Sequence, residues 1–335
     1  MVGVTNATNA WQRYYEEIQR TALSLVDPAT GLLDKRYGQD VPCPGCGSSS
    51  VVHRLTKNGF TYVTCSVCGM VYISPQLNEE TIRKVYNDDK LRLLFFKEWL
   101  LPYGEQEQKG IFAQRAAALW KFVRCEHPRL LDVGCALGNF MLIAGQVGFE
   151  TEGLELNEFY VEYIREHRAI NVHQKTLEAM HYPEHTFDAV TLWDVLEHLP
   201  KPKDTLSEIA RITKPNAIVA LTTINHGCFN EKLLKEEWRY YQPPDHLCSF
   251  TPALLRTMLQ RSGFSVVAME HHYMFEVLAD VYFQFLKLSD STSTAARMTN
   301  KLKKVICFVL RVASESLFNT LQSGDLLTVY AIRKA

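Results

Sequence analysis

The chain has 335 residues, with 36 Lys and Arg against 37 Asp and Glu and an apolar content of 47%. That is material for about two folded domains and excludes intrinsic disorder, while 17 Gly and 13 Pro are too few for a collagen-like or low-complexity chain. A formal net charge of -1 gives no general pull toward a phosphate backbone, so no nucleic-acid partner is expected.

The first twenty residues, MVGVTNATNAWQRYYEEIQR, lack a basic segment followed by an apolar one, and no later stretch reaches the roughly 18 uninterrupted apolar residues that cross a bilayer. The expected location is therefore cytoplasmic. Residues 1–40 are expected to form a helical extension, with an amphipathic run at 11–25.

Four of the nine cysteines fall within 43–68, as Cys43-Pro-Gly-Cys46 and, 18 residues later, Cys65-Ser-Val-Cys68. Two residues between thiolates let one tight turn aim both sulfurs at one ion, and two such turns complete a tetrahedron. The spacing predicts a zinc ribbon over 41–75. Its hairpin has strands at 51–55 and 60–64 around Lys57-Asn58-Gly59. Four thiolates leave no position for water, so the Zn2+ is expected to be structural.

Residues 76–127 read as a helical linker, with helices at 79–86, 91–103 and 106–125, that can cover a neighbouring site. From 128 to 335, apolar runs at 129–134, 149–156, 170–176, 187–195, 217–225, 264–271 and 326–333 alternate with helical stretches. This alternation predicts a doubly wound, mostly parallel sheet, whose ligands bind beyond the carboxyl ends of the strands.

The first strand runs into Asp132-Val133-Gly134-Cys135-Ala136-Leu137-Gly138. Gly134 permits a sharp turn and Gly138 a close helix, leaving a niche walled by backbone. Asp132 would repel a pyrophosphate but suits a cationic amino group. The next strand ends at Glu155, placed to accept hydrogen bonds from ribose hydroxyls.

Residues 130–140, 153–157, 176–200, 213–225 and 245–264, in that order, resemble the class I S-adenosylmethionine-dependent methyltransferases. The resemblance is to the ubiquinone-biosynthesis-like branch, whose Asp-x-x-Glu-His-Leu signature stands here at 194–199. The run Cys68-Gly69-Met70-Val71-Tyr72-Ile73-Ser74-Pro75 is similar to the one that follows the zinc ribbon in members carrying such a module.

The resemblance implies a Rossmann-like seven-stranded α/β sheet whose last strand is antiparallel and enters beside the fifth. The cofactor implied is S-adenosyl-L-methionine. Asp132, Gly134 and Gly138 would frame its methionine moiety, Glu155 hold the ribose, Leu177 and Glu178 flank the adenine, and Trp193 and Asp194 line the other side. Ala136 stands where many relatives have glycine, and a negative φ there would make the methyl harmless.

A base is needed only if the acceptor must lose a proton, and His198 and His246 are the candidates. The aromatic segment 227–250 suits a lid over an organic acceptor. Residues 273–323 read as a helical insertion before the last strand. Its basic, apolar stretch 301–321 suits a membrane surface, a lipid-linked acceptor, or a homodimer contact.

Three readings stand. The first is a methyltransferase acting on a small organic acceptor, at oxygen first, with a sugar, isoprenoid or natural product as substrate. The second is an RNA-modifying methyltransferase docked by its ribbon, and the third a non-catalytic zinc-ribbon interaction protein.

Overall fold

A computed structural model of the chain describes residues 3–97, 105–272 and 323–335. Except for Ser323, the insertion expected at 273–323 lies outside the described residues, and so does the end of the helix expected at 91–103. No helix among the described residues is long and apolar enough to cross a membrane.

Helix α1 (Gly3–Ser24) is followed by three short strands, β1 (Val26–Asp27), β2 (Leu32–Leu33) and β3 (Gly38–Gln39). The hairpin of β4 (Val51–Lys57) and β5 (Phe60–Cys65) turns through Asn58 and Gly59. Both have positive φ, 50° and 81°, as a two-residue turn joining right-twisted strands requires.

After β6 (Val71–Ile73) and β7 (Gln76–Leu77) come helices α2 (Glu79–Tyr86), α3 (Asp89–Phe95) and α4 (Glu105–Trp120). Asn78 starts α2 by accepting a hydrogen bond from Thr81 N, and Asp88 starts α3 by accepting from Lys90 N and Leu91 N.

Strand and helix then alternate. The series is β8 (Arg129–Val133), α5 (Asn139–Val147), β9 (Glu150–Leu154), α6 (Glu158–His167), β10 (Asn171–His173), α7 (Leu177–Met180), β11 (Phe187–Trp193), α8 (Pro202–Ile212) and β12 (Thr213–Ile224). It continues through α9 (Phe229–Leu234), β13 (Cys248–Ser249), α10 (Pro252–Arg261), β14 (Phe264–His272) and β15 (Leu326–Arg333).

Seven strands form one sheet in the order β10-β9-β8-β11-β12-β15-β14. Strands β10, β9, β8, β11 and β12 run parallel, and β15 is antiparallel to both β12 and β14. The chain moves outward from β8 through β9 to β10 and then returns to β11 on the other side of β8. That reversal opens a crevice at the carboxyl ends of β8 and β11.

The central strands are buried on both faces, so they read as continuous apolar runs. Leu130, Ala189, Ile218, Ala220 and Tyr330 pack under Phe112 and Ala116 of α4 and Phe140 of α5. On the other face Leu131, Val190, Val219, Leu221 and Val329 meet Leu206 and Ile209 of α8 and Leu255 and Leu259 of α10. Each Val, Leu, Ile or Phe among them contributes about 1.5–3 kcal/mol on burial.

The ribbon shares this second core. Cys43, Val63, Cys65, Met70 and Tyr72 belong to the same apolar cluster as Leu206, Phe250 and Leu255. The small sheet has the order β13-β6-β5-β4, so a strand from beyond β12 completes it, with Cys248 opposite Tyr72 and Ser249 opposite Val71.

Segment 227–250 differs from the expected lid. Trp238 and Phe250 are fully buried and Tyr241 is 2% exposed, and Trp238 and Tyr241 pack with Phe60, Tyr62 and Ile73 of the ribbon. Trp238 Nε1 donates to Asp325 Oδ1 at 2.9 Å, an anchor just before β15. Aromatic rings that can fill a core between two sheets bury more apolar area there than over an open cleft.

Candidate active site and metal centre

The four ribbon cysteines converge. Gly47 N donates to Cys43 O at 2.8 Å and Gly69 N to Cys65 O at 2.9 Å, closing two tight turns in which both glycines have positive φ. Cys43 Sγ lies 3.5 Å from Cys68 Sγ, Cys46 Sγ lies 3.5 Å from Cys65 Sγ, and all four sulfurs lie within 4.8 Å of one another. Sulfurs bound to one tetrahedral zinc at about 2.3 Å stand roughly 3.8 Å apart, so the donor set fits a closed, structural site.

At the crevice, Gly134 and Gly138 take φ of 72° and 70°. A Cβ on Gly134 would come within 2.6 Å of Val195 Cγ2, and one on Gly138 within 2.1 Å of Ile170 Cδ1, so both positions need glycine for space as well as for φ. Ala136 departs from expectation. Its φ is +47°, a left-handed conformation that costs an alanine roughly 1–2 kcal/mol. The return is a hydrogen bond from Ala136 N to Glu155 Oε2 at 3.0 Å.

Glu155 Oε1 also accepts from Leu156 N at 2.7 Å and Asn157 N at 2.8 Å. Burial raises its pKa and these three N–H groups pull it back. A carboxylate has about four lone-pair sites, so one remains. Tyr86, at the end of α2, stands over this carboxylate, and Glu155 is the largest influence raising the phenol's pKa.

Asp132 is 2% exposed and accepts from Thr191 Oγ1 at 2.6 Å. Burial pushes its carboxyl up to about 7, against the pull of Thr191 and Arg115. A cationic group placed beside it would reverse that penalty.

Trp193 and Asp194 end β11. Asp194 is exposed to solvent and has φ of 57°, yet protein encloses it as it would a residue on a cleft floor. That enclosure raises its pKa, offset by Arg115 and His198. Trp193 Nε1 is a buried donor without a partner, and so is Asn139 Oδ1 as an acceptor at the start of α5. Orphaned polar atoms at the end of β11 and the start of α5 fit a site completed by a polar ligand.

Leu177 and Glu178 open α7, which follows β10. The Leu177 side chain sits in the core shared with α8, and Glu178 Oε1 accepts from Thr205 Oγ1 at 3.2 Å.

The two histidines meet with ring centroids 4.9 Å apart, and His198 acts electrostatically on Asp194. His198 lies on the short turn Leu196–His198 after β11, and His246 follows the buried stretch 241–245. His198 Nδ1 is bonded to the carbonyl of Asp245 at 2.8 Å and His246 Nδ1 to the carbonyl of Tyr240 at 2.9 Å. Burial and the neighbouring His198 lower the His246 pKa to about 4. Glu197, 2% exposed, accepts from Thr223 Oγ1 at 2.8 Å, and burial pushes it up to about 7. Glu197, His198 and His246 each offer a ligand atom within 4.8 Å of the others, so a cation can use the same group.

Sequence reasoning missed Arg115. From α4 its guanidinium lies 4.3 Å from the Trp193 ring centroid, and Nη2 donates to Thr222 Oγ1 at 3.0 Å. Burial lowers its pKa, and Asp194 offsets this most. No motif marks it. The only signal was its place on the helix preceding the first strand of the sheet.

A protein family described as "Methyltransferase domain" matches residues 82–269. A ubiquinone biosynthesis O-methyltransferase from Shewanella sp. (strain ANA-3) is 28% identical over 175 residues, 48% of this chain and 68% of that protein. One from Proteus mirabilis (strain HI4320) is 34% identical over 134 residues, 38% of this chain and 49% of that protein. The chain thus spans between 49% and 68% of the length of these curated relatives. Among solved structures, a SAM dependent methyltransferase from Archaeoglobus fulgidus aligns with a TM-score of 0.47 and 20% identity, over 69% of this chain and 100% of that one.

Proposed function

The chain belongs to the class I S-adenosylmethionine-dependent methyltransferases, and from that premise we propose that it transfers a methyl group to an oxygen of a small organic acceptor. The acceptor class that fits is a hydroxylated isoprenoid, sugar or related natural product. The observation that carries this reading is the presence of two unlike half-sites within electrostatic reach of Asp194, through Arg115 on one and His198 on the other. One is a buried niche of glycine turns and carboxylates, and the other a pair of histidines in contact.

When bound, S-adenosylmethionine supplies a methyl group on a sulfonium, already electrophilic, so the protein's work is alignment and exclusion of water. Asp132 would hold the ammonium of the methionine moiety, and Gly134 and Gly138 leave room for its backbone. Arg115 suits its carboxylate. Glu155 would receive the ribose hydroxyls with its remaining acceptor site, Leu177 and Glu178 would border the adenine, and Trp193 and Asp194 would close the opposite wall. His198 and His246 both commit Nδ1 to a carbonyl, which leaves Nε2 of either to accept the hydroxyl proton of the acceptor.

Calorimetric titration with S-adenosylmethionine, followed by labelled-methyl transfer to a panel of phenols, hydroxylated isoprenoids and sugars, tests the reading. Binding is expected, and Glu155→Ala should weaken it about 10–100-fold, the value of charged hydrogen bonds worth roughly 1.5–3 kcal/mol. No binding by the zinc-loaded protein would overturn the reading. Transfer to bulk RNA in place of the panel would move it to a nucleic-acid substrate.

A further inference from the structure

His198 owes its orientation to residues outside the sheet. Its Nδ1 lies 2.8 Å from the main-chain carbonyl of Asp245, whereas the Asp245 carboxylate is farther away, at 3.6 Å. A carbonyl oxygen can only accept, so Nδ1 carries the proton, and in the neutral ring Nε2 keeps the lone pair.

The Asp245 carboxylate is turned into the protein. Oδ1 accepts from Arg92 Nη2 at 3.0 Å and Oδ2 from the Tyr14 hydroxyl at 3.3 Å. Arg92 comes from α3 and is 7% exposed. Its Nε donates to the Tyr86 carbonyl at 3.2 Å, and its guanidinium lies 4.5 Å from the Tyr86 ring centroid.

The same carbonyl accepts from Asn157 Nδ2 at 3.2 Å, and Asn157 N donates to Glu155. Hydrogen bonds therefore run without a gap from the niche carboxylate through Asn157, Tyr86, Arg92 and Asp245 to His198. The helical segment 79–95 joins the two half-sites.

Stability does not account for the Arg92–Asp245 pair. Two charges taken out of water pay a desolvation penalty that their attraction barely returns, and apolar side chains of the same volume would stabilise the fold as well. The pair does fix direction. Arg92 clamps the carboxylate side of Asp245, and this leaves the carbonyl side aimed at the imidazole.

We propose that Arg92 and Asp245 are positioning residues for methyl transfer: the Asp245 carbonyl holds His198 with its proton on Nδ1, and Arg92 holds Asp245 in place. The proposal rests on the reading above in one respect, that Nε2 of His198 faces the acceptor.

Arg92→Met alone leaves a buried carboxylate unpaired and is expected to unfold much of the protein, so the decisive variant is Arg92→Met with Asp245→Leu in the full zinc-loaded chain. The double variant should keep most of its melting temperature and bind S-adenosylmethionine within about threefold of the unmodified protein. Its acceptor KM should stay similar while kcat falls roughly 10–100-fold, as loss of alignment does. Recovery of kcat together with stability would make the pair merely structural and overturn the proposal.

Nitrogen-15 spectra of the histidine rings give a readout without turnover. His198, assigned by its absence in His198→Gln, should be the Nδ1–H tautomer in the unmodified protein and a mixture in the double variant. An Nε2–H ring in the unmodified protein would sink the proposal even in an active enzyme. If no acceptor in the panel is methylated, the functional reading fails and the tautomer still decides the positioning claim.

Discussion

The niche and the histidine pair are built in opposite ways. The niche is local in the chain: Asp132 to Gly138 form one strand–turn–helix unit, and Glu155 ends the next strand, hydrogen-bonded to Ala136 and its own neighbours. The histidine side draws Tyr14, Arg92, His198 and Asp245 from four remote segments, up to 231 residues apart for one hydrogen bond. A half-site made by neighbours in sequence has a motif. One made by tertiary contact leaves none.

The largest effect is expected at the metal. Chelation of zinc, or Cys65→Ser, is expected to loosen the ribbon, since structural zinc in small metal-folded modules contributes on the order of 10–16 kcal/mol. Because Ile73 N donates to Leu247 O at 3.0 Å, immediately after His246, methyl transfer should vanish. Cofactor affinity should change far less, since the niche hydrogen bonds run among Ala136, Glu155, Leu156 and Asn157. Parallel calorimetry and transfer assays check this, and equal loss of both would mean that the two sides are one unit.

His198→Ala should lower kcat about 10²–10⁴-fold, the usual worth of a positioned base, with cofactor affinity unchanged. His246→Ala gives the control for the second ring. If cofactor affinity falls in step with kcat, the division into two sides is wrong.

Asp132→Asn probes the niche through pH. The folded-state pKa of Asp132 is raised from 3.8 to about 7, so between these values the folded state binds more protons than the unfolded chain. Stability from this group therefore declines as pH rises through that window. The Asn variant lacks the decline. Denaturant titrations at pH 4.5 and pH 7.5 should show its stability relative to the unmodified protein improving with pH, while its cofactor affinity drops at both.

The smallest effect is Ala136→Gly. Relief of the left-handed strain, less the extra entropy glycine loses on folding, should stabilise the protein by about 0.5–1 kcal/mol, visible as a rise in melting temperature.

Much of the fold was legible because periodicity and turn chemistry are local. The sheet strands and the hairpin turning on Asn58-Gly59 fall where apolar runs and glycines predict them, with ends differing by a few residues. The niche spacing placed Asp132, Gly134, Gly138 and Glu155 together for the same reason. Three features were not legible. The φ of Ala136 is set by the pull of Glu155 on its N–H. The fate of Trp238 was decided by Asp325, far along the chain. Asp245, beside His246 in sequence, bonds through its carbonyl to His198 instead, a contact that only the folded turn brings about.

The pairing of β13 with β6 also governs how this chain can be dissected. A fragment begun after the ribbon would strip Cys248 and Ser249 of their strand neighbours and lay bare Phe250 and Leu255, which Met70 and Tyr72 now help to cover. Such a fragment would expose an open backbone edge beside a greasy patch, which is a recipe for clumping. The apparent accessory module is thus a wall of the catalytic half, and shuttling it between scaffolds would require carrying residues 245–255 along with it.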